Sequence, residues 1–267
     1  MPWMKKVGAC ALMLAVAGCS TSPTGRSQLT LMSESDLSQM GAQAFAQYQQ
    51  ELPTVGGSQL NYVQCVTTAV VNALPPEQRQ QNWQVKVFDS EDANAFALPG
   101  GYVGVNTGLL DIATNQDQLA TVIGHEIGHV LAHHANERAS TESATQLGMS
   151  VVGAALGSQG IAGSDQMMAA MGMGAQYGIL LPFSRSHESE ADTIGLNLMA
   201  EAGFDPRASI ALWQNMSNAG GGQPPEWMST HPSHGSRIAG LEADLANANA
   251  LYQQAQSAGR SPNCKAS

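Results

Sequence analysis

His125 and His129 stand four residues apart, with Glu126 directly after the first, in the run His125-Glu126-Ile127-Gly128-His129. On a helix this spacing stacks two imidazoles one turn apart, roughly 6 Å along the axis. Both rings then reach one metal ion at about 2.1 Å, and the Glu126 carboxylate leans toward the ion's open side. Two nitrogen ligands beside a carboxylate suit a catalytic zinc whose water the glutamate deprotonates. Such a zinc takes three protein ligands, so a third must come from elsewhere. The run Ser186-His187-Glu188-Ser189-Glu190-Ala191-Asp192 supplies candidates. Glu188 and Asp192 share a helical face, where the first can bind metal and the second can orient a ligand histidine through its free ring N–H. His187 competes as ligand, while Glu190 reads as a solvated charge at a helix start.

The elements that must position these groups follow from pattern. Thr114 and Asp117 resemble a capping box, and Leu119, Val122, Ile123, Ile127, Val130 and Leu131 recur at helical spacing. A helix is expected from about residue 115 through His133, His134, Asn136 and Arg138. His133 and His134 are read as surface groups or supports, because three successive turns spread over about 12 Å, too far for one ion. Ser186 is expected to cap a second helix, which Gly203 closes before Asp205-Pro206 opens another. Residues 83–88 alternate like a strand, and Asn94–Leu98 with Tyr102–Asn106 predict a hairpin across Pro99-Gly100. Residues 35–74 and 233–257 read as helical. Residues 143–183, where Asp165 is the sole charge, read as a buried helical hairpin. Pro232 restricts His231 to extended geometry, placing it on a turn.

The amino terminus predicts an export signal. Lys5 and Lys6 precede an apolar run from Val7 to Ala17, too short for an ordinary membrane span. Val16-Ala17-Gly18-Cys19 resembles a lipoprotein signal that makes Cys19 the acylated first residue. Residues 1–18 are therefore expected to be cleaved, 19–28 to form a tether, 29–258 a single metallopeptidase domain, and 259–267 a tail. Loss of Lys5 and Lys6 would take the formal charge from −10 to −12, which excludes a basic surface for nucleic acid. Cys65 and Cys264 then remain, and in an oxidising compartment they are expected to pair. The sequence sets no oligomeric state.

Three ordered motifs carry a resemblance. His125-Glu126-x-x-His129, Ser184-Arg185-x-x-Glu188-x-x-Ala191-Asp192, and Thr230-His231-Pro232 with Arg237 are similar to the gluzincin metalloendopeptidases that include the CAAX prenyl endopeptidase and HtpX. Within that family the chain looks like the small bacterial periplasmic lipoprotein members and the Oma-type proteases. Asn94-Ala95-Phe96-Ala97-Leu98-Pro99-Gly100-Gly101-Tyr102 also matches the family's pattern. The resemblance, over about residues 28–245, implies an α+β fold: mostly helical, zincin-type, with a small sheet whose edge strand flanks the zinc helix. It implies one Zn2+ held by His125, His129 and Glu188, with Glu126 as general base and Asp192 behind a ligand. His231 and Arg237 would lie near the substrate carbonyl, and Asn94, Ala95, Phe96 and Ala97 would form the substrate-binding edge. The implied activity is hydrolysis of misfolded or misassembled cell-envelope proteins by an enzyme lipid-anchored at the periplasmic face of the bacterial outer membrane. The alternative is a lipid-anchored chaperone or assembly factor with little proteolysis.

Overall fold

The structure, a computed structural model, describes residues 19–158, 167–169, 171–172, 181–219, 231 and 235–266. The leader expected over 1–18 lies outside them, as does much of 143–183. Described helices are α1 (Glu34–Glu51), α2 (Gly57–Asn72), α3 (Pro76–Arg79), α4 (Thr107–Ile112), α5 (Gln116–Leu131), α6 (His134–Ser158), α7 (Leu181–Glu201), α8 (Ala208–Ala219) and α9 (Gly235–Ser257). Strands are β1 (Cys19–Thr21), β2 (Ser27–Leu29), β3 (Thr54–Val55), β4 (Gln84–Phe88), β5 (Ala95–Leu98) and β6 (Tyr102–Asn106). The fold is α+β and mostly helical, as expected. Where the sequence reading draws one domain over 29–258, the chain divides into two compact units, residues 1–33 with 133–186 and residues 34–132 with 187–267.

In the first unit, residues read as a tether are paired. β1, which Cys19 opens, runs antiparallel to β2 across a turn in which Gly25 takes a φ of 91°. Arg26 donates two hydrogen bonds, of 2.5 and 2.6 Å, to the Glu137 carboxylate on α6, and Gln28 adds a third at 2.8 Å. The backbone N–H groups of Leu31 and Met32 donate to Ser140 and Asn136 of the same helix. Further along α6 the expected burial fails: Leu147 is 67% and Val151 62% exposed.

The second unit is built around a sheet of order β3-β4-β6-β5. β4 and β6 are parallel, while β3 pairs with β4 and β5 with β6 antiparallel. The predicted hairpin of β5 and β6 is present, its turn made by Gly100 and Gly101 at φ near 90°, a conformation that glycine adopts without Cβ strain. β5 is therefore an edge, and α5 packs against it. Leu119, Val122, Ile123 and Ile127 of α5 are buried in one core with Val63, Val66 and Val70 of α2 and Leu212 and Met216 of α8. At about 25 cal/mol per Å² of apolar surface, this burial fixes the helix's rotation, and with it the direction in which its polar residues point.

Three boundaries differ from expectation. Asn115, not Thr114, caps α5, its side chain accepting from the N–H groups of Asp117 and Gln118, while Thr114 bonds Gln118 instead. The helix also stops at Leu131. His133 takes a φ of 52°, a left-handed turn that a histidine tolerates, and α6 begins afresh at His134. His133 is consequently exposed rather than one turn above His129. α7 starts at Leu181, five residues before the predicted cap Ser186, with Pro182 in its first turn, and Gly203 at φ 94° closes it as predicted.

The tail is fastened at the start of α5. Cys65 and Cys264 form a disulfide with Cα atoms 5.7 Å apart. Gln116 donates to the Pro262 carbonyl at 2.9 Å and accepts from the Cys264 N–H at 2.7 Å.

Candidate metal centre

α5 and α7 cross with almost nothing between them. A Cβ on Gly124 would lie 2.8 Å from the Gly195 carbonyl oxygen, and one on Gly128 would lie 3.0 Å from that of Ala191. Glycine spacing on one helix thus admits the backbone of the other, and side chains just beyond the crossing meet. His125 and His129 come from α5, Glu188 and Asp192 from α7, and His231 from the segment before α9.

These groups converge. The Nε2 atoms of His125 and His129 are 3.0 Å apart. Glu188 places its oxygens 3.4 Å from His125 Nε2 and 3.6 Å from His129 Nε2. His231 Nδ1 lies 3.1 and 3.2 Å from the two Glu188 oxygens and 3.3 Å from His125 Nε2. The donor atoms of His125, His129, Glu188 and His231 all lie within 4.8 Å of one another. Lone pairs this close repel unless a proton or a cation sits among them, and a set of imidazoles with one carboxylate suits a borderline cation such as zinc.

Glu126, 5% exposed, brings Oε1 to 3.4 Å from His231 Nε2 and lies outside the donor group. His187 is buried yet also outside it. Glu190, expected in water, is 6% exposed, because His187, Glu188 and Ala191 at the same turn are enclosed as well and leave α7 little solvated face there.

Behind the donors stands a charged frame. Asp192 Oδ1 lies 3.0 Å from His125 Nδ1, so one imidazole has a carboxylate at each nitrogen. Arg237 grips Asp192 through Nε and Nη2, both at 2.6 Å, donates to the His231 carbonyl at 3.1 Å, and has Nη1 3.1 Å from Glu188. Its guanidinium carbon sits 4.5 Å above the ring of Trp213. With a side chain 1% exposed, Arg237 acts as an internal brace that reaches the site through Asp192, Glu188 and the His231 carbonyl. Trp213 carried no motif; only its place in the amphipathic pattern of α8 could have drawn attention to it.

The electrostatics follow from these contacts. Burial works against charge on His125, but hydrogen bonds with Asp192 and Glu188 outweigh it and push the imidazole pKa up to about 9. Burial likewise opposes the Glu188 carboxylate, yet hydrogen bonds from His125 and His231 hold it well below the usual range. Asp192 is lowered too, its burial outweighed by hydrogen bonds from Arg237 and His125. Asp192 and Glu188 are thus kept anionic beside a basic His125.

The edge strand has a definite polarity. The Asn94 carbonyl accepts from Asn106 N–H at 2.9 Å, which places Asn94 and Phe96 in the bonded set facing β6. Ala95 and Ala97 then direct their backbone groups to the open side. The Asn94 side chain accepts from Ala95 N–H at 2.9 Å. Ala95 itself is buried, and the Phe96 ring lies across Gly104.

Residues 58–245, which contain every site residue named above, match the model of peptidase family M48. The chain is 37% identical to the mitochondrial metalloendopeptidase OMA1 of Bos taurus over 235 residues, covering 82% of this chain and 44% of that protein. It is 38% identical over 168 residues to OMA1 of Schizosaccharomyces pombe, with 62% and 48% covered. It is 33% identical over 162 residues to the beta-barrel assembly-enhancing protease of Escherichia coli, with 57% and 32% covered. The chain spans less than half the length of these relatives. They also overturn the expected address: the relatives matched over 82% of this chain are mitochondrial proteins, which points away from a lipid-anchored place at the bacterial outer membrane.

Proposed function

The chain belongs to peptidase family M48, and on that premise we propose that it is a zinc-dependent endopeptidase acting on misfolded or misassembled polypeptides. The observation that carries this reading is the meeting of His125, His129 and Glu188 beside the buried carboxylate of Glu126. These three residues would hold the ion, with Asp192 fixing the tautomer of His125. Zinc bound there supplies a Lewis acid and a water whose pKa falls toward about 7. Glu126 takes the proton of the attacking water and returns it to the leaving amine. His231 has two positions to fill. As a fourth donor it closes the site, whereas catalysis needs one open place. Withdrawn from the donor set, it is placed to hydrogen bond the oxygen that becomes negative. Arg237, bound to the His231 carbonyl, limits how far that segment moves.

The outward backbone groups of Ala97 and the Ala95 carbonyl suit an extended substrate, which would add as a strand with little regard for sequence. Unfolded chains are the polypeptides that offer such segments, and the name of the Escherichia coli relative, with its reference to assembly, favours the same class.

Digestion of unfolded casein by the purified full chain tests the reading, with and without a chelator. Glu126→Gln should keep its zinc and lose cleavage by about three orders of magnitude or more. His231→Ala should also keep zinc and slow turnover roughly 100-fold, as expected for one lost oxyanion donor. Chelator-insensitive cleavage would refute the zinc assignment. Binding of casein without cleavage, unchanged in Glu126→Gln, would favour the chaperone alternative.

A further inference from the structure

The tightest backbone contact beside the site is made by a residue that bears no functional group. Gly195 lies on α7 seven residues after Glu188 and three after Asp192, so Glu188, Ala191, Asp192 and Gly195 line one helical face. A Cβ on Gly195 would lie 2.6 Å from His125 N, 2.7 Å from Gly124 C and 2.8 Å from His125 Cα. All three are backbone atoms of α5, which the core holds from its other face, so no rotamer change relieves the clash. Reaching an ordinary carbon contact of about 3.5 Å would require the helices to part by roughly 1 Å.

Such a shift falls on the metal-ligand histidine itself. His125 is held at Nδ1 by Asp192, at 3.0 Å, and faced at Nε2 by Glu188, at 3.4 Å, both on α7. Parting α7 from α5 stretches the first contact beyond hydrogen-bond range and carries the carboxylate of the second away from the donor group. We propose that Gly195 is a positioning residue for the metal: its missing side chain lets α7 close on α5 until Asp192 and Glu188 bracket one imidazole. The inference rests on the zinc reading above and concerns what sets the affinity of that site.

The experiment measures zinc affinity by competition with a chromophoric chelator, and the visible spectrum of the cobalt-substituted full chain. Gly195→Ala should bind zinc 10- to 100-fold more weakly, the loss typical when a ligand histidine's supporting carboxylate is disturbed, and should alter the cobalt bands. Adding Asp192→Glu to Gly195→Ala lengthens the side chain by about 1.5 Å, regains the His125 Nδ1 contact and should restore part of the lost affinity, Glu188 remaining displaced. A purely structural defect would not be rescued this way. Gly148→Ala, with nothing within 4 Å of its added Cβ, should match the wild type. Should Gly195→Ala fail to fold, Gly128→Ala serves, with a milder 3.0 Å approach to the Ala191 carbonyl and a few-fold loss expected. Wild-type affinity in Gly195→Ala, or in Gly128→Ala where it stands in, would overturn the proposal, as would a double variant no tighter than the single. A wild type that binds no zinc at all would instead bring down the metal reading beneath it.

Discussion

The two ends of α5 are held by different chemistry. At its start, Asn115 caps the helix, Gln116 bonds the tail, Gln118 joins Thr114 and Asn215, and the Cys65–Cys264 bond closes a separation of 199 residues. All of these contacts are neutral or covalent, and the one carboxylate there, Asp117, accepts a backbone N–H from Asp205 at 2.9 Å. Toward its other end, His125 and His129 meet Glu188, Asp192 and Arg237 in a buried cluster of charges. Buried charges are weak as net stabilisers but strict about geometry, since removing one partner leaves another uncompensated. The difference teaches a division of labour: the neutral end supplies stability that needs no metal, and the charged end supplies a shape that a metal can use.

Four experiments can break or sharpen that division. Arg237→Ala should act most strongly, lowering the stability of the metal-free protein by roughly 3–5 kcal/mol, because Asp192 and Glu188 lose their buried cation. Urea unfolding measures this, and a change below about 1 kcal/mol would show that the cluster is not charge-balanced by the arginine. Next, Cys65→Ser with Cys264→Ser should lower stability by about 2–5 kcal/mol while leaving zinc affinity within twofold. A parallel fall in affinity would mean that the ends are coupled and the division is false. Glu188→Ala should empty the site whereas Glu190→Gln should not, as metal analysis after gel filtration would reveal; equal zinc in both would assign the third ligand wrongly. Asn115→Ala should be the smallest, about 1 kcal/mol of stability with turnover unchanged, checked by melting and casein digestion together.

How much of this was legible in sequence depended on how far the cause lay from the residue. His125, His129, Glu188 and Asp192 were readable because an i, i+4 spacing puts two groups on one helical face whatever surrounds it. The β5–β6 hairpin was readable because Pro99-Gly100-Gly101 dictates a turn locally. Residues 19–28 were not: their polar, turn-forming composition suggests a tether, and their order comes from Glu137, 111 residues from Arg26. The stop at His133 escaped for a related reason, since a left-handed residue leaves no mark in hydrophobic period. Glu190 shows the same limit, as burial of a charge is decided by what packs around the whole helix. Arg237 matched a motif, yet its work became visible only with Trp213 beneath it and Asp192 in its fork.

The carboxamide of Asn94 has a consequence for the protein's life in a crowded solution. A sheet edge with unpaired amides is a template on which another chain, including a second copy of this one, can stack and grow into an aggregate. On the function proposed above, the edge would have to stay open to unfolded chains and could not simply be covered. Here the exposed length is short, four residues ended by Pro99, and the outward N–H of Ala95 is already occupied by its neighbour's side chain. What remains is a short open stretch around Ala97, too short to nucleate a growing sheet.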